Sequence, residues 1–352
     1  MATCSQSQCV QSCPGWPFRA QCPRSLPEQV MMHVRTSRSS RTGLGRAPAA
    51  WAVLFAAGTA MFVLGVGLMS LALAHPHDTA KDGMARAKLV DPAKQADIEA
   101  LLDEVQRARV LMVGETHDRY DHHLNQLAVI RGLHERGVPI AIGMECFQRP
   151  FQPHLDDFTA GRTSLAQLLE RTQWHQRWRF DVRLYEDILT YAQRQAIPLV
   201  ALNAATETVS AVSDGGIEAL DPEQRALFPP RIELAAGAYR AQLNQAFALH
   251  GDMPEVYRER FLQVQYVWDQ TMARTAGDYI TAHPERTLVL LAGSGHLLHD
   301  NAIPARLRRI NPAEQAVLVT DTGFMPAGAE PDYVFAARDL SVEERPQVAE
   351  LD

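Results

Sequence analysis

Along this 352-residue chain the apolar positions gather in short, nearly unbroken runs at 110–113, 140–144, 197–202, 287–292, 316–320 and 333–336. A run of this length without a charged member suits a strand buried on both faces, the pattern of a parallel sheet. Between the runs the apolar spacing lengthens to three or four, as at Tyr120, Leu124, Leu127 and Ile130, then at Leu184, Ile188 and Tyr191. These spacings predict helices, the first capped by Asp118, and further helices are expected near Asp97, Thr206 and Ile303. Strand and helix alternating in this way imply parallel strands joined by right-handed crossovers.

The alternation lapses over 214–283, where helical signals at 232–249 and again at Tyr257, Phe261, Val264, Trp268 and Met272 follow one another with no strand between. The expected fold is therefore α/β: a mainly parallel sheet flanked by helices, with a helical insertion (214–283) beside the sheet, all in one domain over 95–340. The aromatic and methionine stripe of the insertion reads as core, and also as a candidate wall for an apolar pocket.

Ahead of that domain the pattern changes. Arg35, Arg38, Arg41 and Arg46 precede an almost uncharged apolar run at 49–74, which ends Leu71-Ala-Leu-Ala74 in the small-x-small form that signal peptidase cleaves. Residues 49–74 are expected to be a signal peptide, or a membrane anchor because the run is close to a span in length. Residues 1–48 form its basic N-region, with translation expected to start at Met31 or Met32, and the polar 75–94 is a linker. The body is then periplasmic, or membrane-anchored and facing the periplasm. Cys4, Cys9, Cys13 and Cys22 match no common zinc spacing, so Cys146 is the body's one thiol and no internal disulfide is expected. Setting aside the six arginines and one acid (Glu28) of residues 1–74 leaves 28 basic and 40 acidic residues, a formal net charge of −12. That acidic balance, spread without blocks, argues against nucleic acid as a partner.

Candidate chemistry lies at the strand ends. The first run stops at Gly114-Glu-Thr-His117, a later one at Gly293-Ser-Gly-His296, and the run at 140–144 ends on Glu145. Neighbouring parallel strands would bring both imidazoles to one sheet edge, where open α/β sheets bind ligands. Two readings follow. In one, Glu115, His117, Glu145 and His296 hold a zinc, manganese or cobalt ion with an open position for water, as in a metal-dependent hydrolase. In the other, the histidines bond to the carboxylates and structure a pocket floor.

Gly-Glu-Thr-His-Asp at 114–118, Gly-Met-Glu at 143–145, Ala-Leu-Asn at 201–203, Gln265 with Trp268-Asp269 and Met272-Ala273, and Ala-Gly-Ser-Gly-His at 292–296 together resemble the ChaN-type haem-binding uptake family. That family lies within the superfamily of Tiki, TraB and erythromycin-esterase-like proteins. The resemblance spans roughly residues 105–320. It implies an exported protein of iron acquisition that binds ferric haem at a homodimer interface through a tyrosine, phenolate being a hard donor that favours ferric iron. His75 stands where lipoprotein members carry a cysteine, so a soluble or an anchored form is expected. The resemblance puts Tyr185 first as iron ligand and Tyr120 second. Trp178 is expected to cover a porphyrin face, and Arg179, with Arg177 and Arg183, to pair with propionates. His117, His296 and His123 complete the cofactor-binding set. His123 is preferred to His122 because it shares a helix face with Tyr120, whereas His122 points about 100° away.

Overall fold

The computed structural model describes residues 87–248 and 254–344. Its strands are β1 (Lys88–Val90), β2 (Val110–Glu115), β3 (Ile140–Gln148), β4 (Leu199–Asn203), β5 (Thr287–Gly293), β6 (Gln315–Thr320) and β7 (Tyr333–Phe335). They form one sheet in the order β1-β7-β6-β2-β5-β3-β4, and every pairing is parallel. The helices are α1 (Gln95–Val105), α2 (Tyr120–Glu135), α3 (Gln152–Thr159), α4 (Leu165–Arg171), α5 (Trp174–Arg177) and α6 (Glu186–Arg194). They continue with α7 (Thr206–Gly215), α8 (Pro222–Ala226), α9 (Gly237–Ala248), α10 (Glu255–Ala282) and α11 (Ile303–Ile310).

The apolar runs are unbroken because both sheet faces are covered. Along β2 the side chains alternate: Leu111 and Val113 enter a core with Leu102 of α1 and Ile130 of α2, while Val110 and Met112 enter another with Ala276 of α10 and Leu307 of α11. All six residues of β2 are buried.

The helical insertion is only partly beside the sheet. Helices α7 and α9 pack in smaller clusters against the first half of α10, through Val212 with Val267 and Leu243 with Leu262. The second half of α10 lies on the sheet itself through Met272, Ala273, Ala276 and Ile280, as the crossover from β4 to β5. Gly277 lets α11 pack closely on the same helix, since a Cβ there would stand 2.6 Å from Ile310 Cγ2.

Two local expectations differ. Lys88–Val90, inside the stretch expected as linker, is a strand on the sheet edge, and its single buried side chain, Val90, left no periodic signal. Helix α2 starts at Tyr120 behind Arg119 with no side-chain cap, so Asp118 does not serve as its N-cap. Among the described residues no helix is long and apolar enough to cross a membrane. The basic N-region, the 49–74 run and most of the expected linker lie outside the described residues.

Candidate functional site

The strand order sets β5 between β2 and β3, so their carboxyl ends are neighbours, with Glu115 level with Gly293. Glu145 stands on β3, and His296 closes a short 3-10 turn directly after β5. Glu115, His117, Gly293 and His296 line one cleft of about 110 Å³. Its outer wall is apolar, built by Leu243 and Ala246 of α9 and by Phe324, Met325 and Pro326 beyond β6.

Glu115 is the hub of one side. Its Oε1 accepts from His117 Nδ1 at 2.8 Å and from the Tyr185 hydroxyl at 2.7 Å. Its Oε2 accepts from Gln126 Nε2 at 2.7 Å and lies 3.2 Å from His123 Nδ1. Burial opposes the charge, but the His123 imidazolium and the hydrogen bonds from His117 and His123 prevail and hold the carboxyl well below its usual range. Burial likewise opposes charging His123, yet the adjacent Glu115 carboxylate raises it, and its Nε2 donates to the His117 carbonyl at 3.1 Å. His122 is the opposite case: burial lowers it to about 4, and its Nδ1 accepts from the Thr116 amide.

His296 is the hub of the other side. Its Nδ1 donates to Asp269 Oδ1 at 2.6 Å, and its Nε2 lies 3.5 Å from Glu145 Oε1. Burial would lower it, but the charges of Glu145 and Asp269 raise it to about 9, so it is an imidazolium at neutral pH. Asp269 Oδ2 accepts from the buried Tyr239 hydroxyl, and Glu145 Oε2 from the Gly293 amide.

Between the hubs, His117 bonds to Glu115 through Nδ1, which orients the ring and leaves Nε2 as its other nitrogen. Its ring packs edge-on to Trp178 at 4.8 Å and against Phe180 at 5.0 Å. Glycine at position 293 leaves room for the ring, since a Cβ there would press on it at 3.2 Å from that Nε2 and 3.0 Å from Cε1. One turn before Asp269 on α10, Gln265 also lines the cleft; it is 1% exposed, and its Nε2 has no hydrogen-bond partner among the described residues. A buried donor left in that state costs about 1–3 kcal/mol.

Several candidate residues have other positions than expected. Tyr185 is buried, its hydroxyl donates to Glu115 Oε1, and burial and the Glu115 charge push its phenol well above its ordinary value. Tyr120 is buried too, donating to Asp187 Oδ2 at 2.7 Å. Both tyrosines, with His123, belong to the layer beneath the strand ends, because the apolar stripe that marks a helix is the face it buries. Trp178 and Phe180 are half-buried against the His117 ring, and exposed Arg179 between them takes a left-handed backbone (φ 72°). Arg177 pairs with Glu207, and Arg183 with Asp181.

The metal ligand set does not assemble. Among the described residues no group of three or more His, Cys, Asp or Glu side chains is disposed to hold an ion. Glu115 has four partners and Glu145 holds the Gly293 amide. Asp269 and Gln265 belong to the site although the sequence assigned them no role. Their spacing of four on a long helix, within its apolar stripe, was the available signal.

Residues 101–307 match the sequence profile of a family described as haem-binding uptake, Tiki superfamily, ChaN. Among solved structures, ChaN of Campylobacter jejuni, described by its cofacial haem binding, is 20% identical, with a TM-score of 0.53 over 67% of this chain and 90% of that one. An erythromycin esterase is 15% identical, with a TM-score of 0.41 over 64% of this chain and 73% of that one. A Bacillus cereus protein is 13% identical, with a TM-score of 0.41 over 70% and 75%. No curated protein matches the chain.

Proposed function

This chain belongs to the ChaN family of haem-binding uptake proteins in the Tiki superfamily, and we propose that it binds ferric haem and serves in haem and iron uptake outside the cytoplasm. The observation that carries the reading is the setting of His117. Its Nδ1 is held by Glu115, which orients the ring in an apolar-walled cleft beside the half-buried Trp178 and Phe180 with Nε2 as the nitrogen left for a ligand. The cleft, at about 110 Å³, is smaller than the roughly 300–1,000 Å³ that encloses a ligand of drug size. The porphyrin therefore lies across its mouth, where Phe324 is 37% exposed, and a second copy of the chain covers the other face in a homodimer. Arg179, exposed between the two aromatic residues, is suited to a propionate.

Iron ligation by Tyr185 would require its hydroxyl to leave Glu115 and its ring to leave the core, so we assign the ligand role to His117 Nε2. Titration of the body from His75 onward with ferric haem is expected to give a saturable Soret shift and a haem-dependent dimer in sedimentation. His117→Ala should weaken uptake about tenfold and alter the spectrum, and Tyr185→Phe should leave the spectrum as it is. A spectrum altered only by Tyr185→Phe would restore tyrosine ligation, and no haem uptake at all would end the haem reading.

We also propose that residues 49–74 export the body to the periplasm, on the strength of the arginines before the apolar run and the Leu71-Ala-Leu-Ala74 ending. Sequencing the mature protein is expected to find His75 at its N-terminus. A membrane-bound form retaining 49–74 would mean an anchor, and a cytosolic full-length chain would refute export.

A further inference from the structure

Of the polar side chains that line the cleft, Gln265 stands apart because its amide nitrogen is buried, borders the cleft and has no partner among the described residues. The donors around it are already engaged: His117 and Tyr185 serve Glu115, Tyr239 serves Asp269, and the Gly293 amide serves Glu145. What enters the cleft to meet Gln265 must offer an acceptor oxygen. It must also be slender, since the space is about 110 Å³, and it must have an apolar stem to lie along Leu243, Ala246 and Met325.

The periphery of iron protoporphyrin consists of methyl, vinyl and carboxyethyl groups, and its only acceptor oxygens are those of the propionates. We infer that the cleft takes one haem propionate arm, with Gln265 Nε2 donating to its carboxylate and the ring held outside across the mouth. This rests on the haem-binding reading above. The cleft accepts such a group because the carboxylate that lines it, Glu115, is covered by His117, Tyr185, Gln126 and His123, and the nearby Glu145 and Asp269 are covered by the Gly293 amide, His296 and Tyr239. The recognising donor is an uncharged amide, so it selects for the propionate without fixing it as tightly as a guanidinium would. Gln265 is then a specificity residue: it separates porphyrins that carry a free carboxylate from those that do not.

The test compares ferric haem with its dimethyl ester, which keeps the ring, the iron and the stem but removes the carboxylate charge and crowds the oxygen with a methyl group. Wild-type protein is expected to prefer haem by about tenfold. Gln265→Met, which keeps the length of the side chain and removes the unpartnered donor, should lose that preference by weakening haem and leaving the ester unchanged. Gln265→Glu, which sets a carboxylate against a carboxylate, should weaken haem further and still spare the ester. Gln265→Met is expected to melt no lower than wild type, because it removes a buried donor without a partner among the described residues. Gln265→Glu buries a carboxylate and should melt lower, so it is compared by its haem-to-ester ratio at a temperature where it is folded. Equal binding of haem and ester by wild type, or equal weakening of both by the variants, overturns the propionate assignment while haem binding itself stands. Failure of wild type to take up either compound overturns both.

Discussion

Glu115→Ala is expected to lower the unfolding free energy by about 3–5 kcal/mol, the range found when one partner of a buried charge pair is removed. The carboxylate accepts from His117, Gln126 and Tyr185 and faces the buried His123 imidazolium, and all of these would lose their acceptor together. Glu115→Gln should be nearly as damaging, because its amide group would turn donors toward donors. Urea titration at pH 7 measures the loss, read as a lower midpoint with the slope unchanged. The acid limb of stability should move as well. The folded carboxyl titrates well below its usual range, so its contribution is present above the unfolded value of about 4.3 and is lost as the pH falls through the folded one. The variant should lack that part of the acid dependence. A loss under about 1 kcal/mol would mean that the hub does not hold the strand end together.

On the alkaline side the largest effect is expected from His296. Its folded pKa of about 9 lies above the ordinary 6.5, so its contribution is fully present below pH 6.5 and disappears as the pH rises to 9. The difference corresponds to about 3 kcal/mol. Wild-type protein should therefore lose stability steadily across that interval, and His296→Gln should show a shallower slope. His123, also raised, acts in the same direction in both proteins, so the comparison isolates His296. Asp269→Asn should reproduce much of the effect by removing the nearer of the two anions, 2.6 Å from Nδ1. Identical slopes in wild type and His296→Gln would show that His296 is not held as an imidazolium.

Much of the architecture is legible in the sequence for a physical reason. A strand with both faces covered needs an apolar side chain at every position, so 110–113 and 287–292 could be read without any knowledge of their neighbours, and they are indeed paired, Val110 opposite Leu288 through Glu115 opposite Gly293. The conclusion that Glu115, Glu145, His117 and His296 meet at one edge followed from the parallel topology alone. Local signals failed where the deciding contact lies far away along the chain. Val90 gains its burial from a strand more than two hundred residues later, through Leu89 opposite Val334, and nothing near residue 88 announces it.

The state of each functional group belongs to the tertiary structure. Tyr185 and Glu115 are 70 residues apart, and only the fold buries the phenol and makes it a donor to that carboxylate. Asp269 is 27 residues from His296, and it is this carboxylate together with Glu145 that turns a neutral imidazole into a cation. His122 and His123 are chain neighbours on one helix, yet one is held neutral by burial and the other charged by Glu115. Residue type and strand ends were thus set by the sequence alone, because apolar burial is a local demand on every position of a run. Charge state and access were set by the fold, because they depend on the distance to partners that the chain supplies from elsewhere.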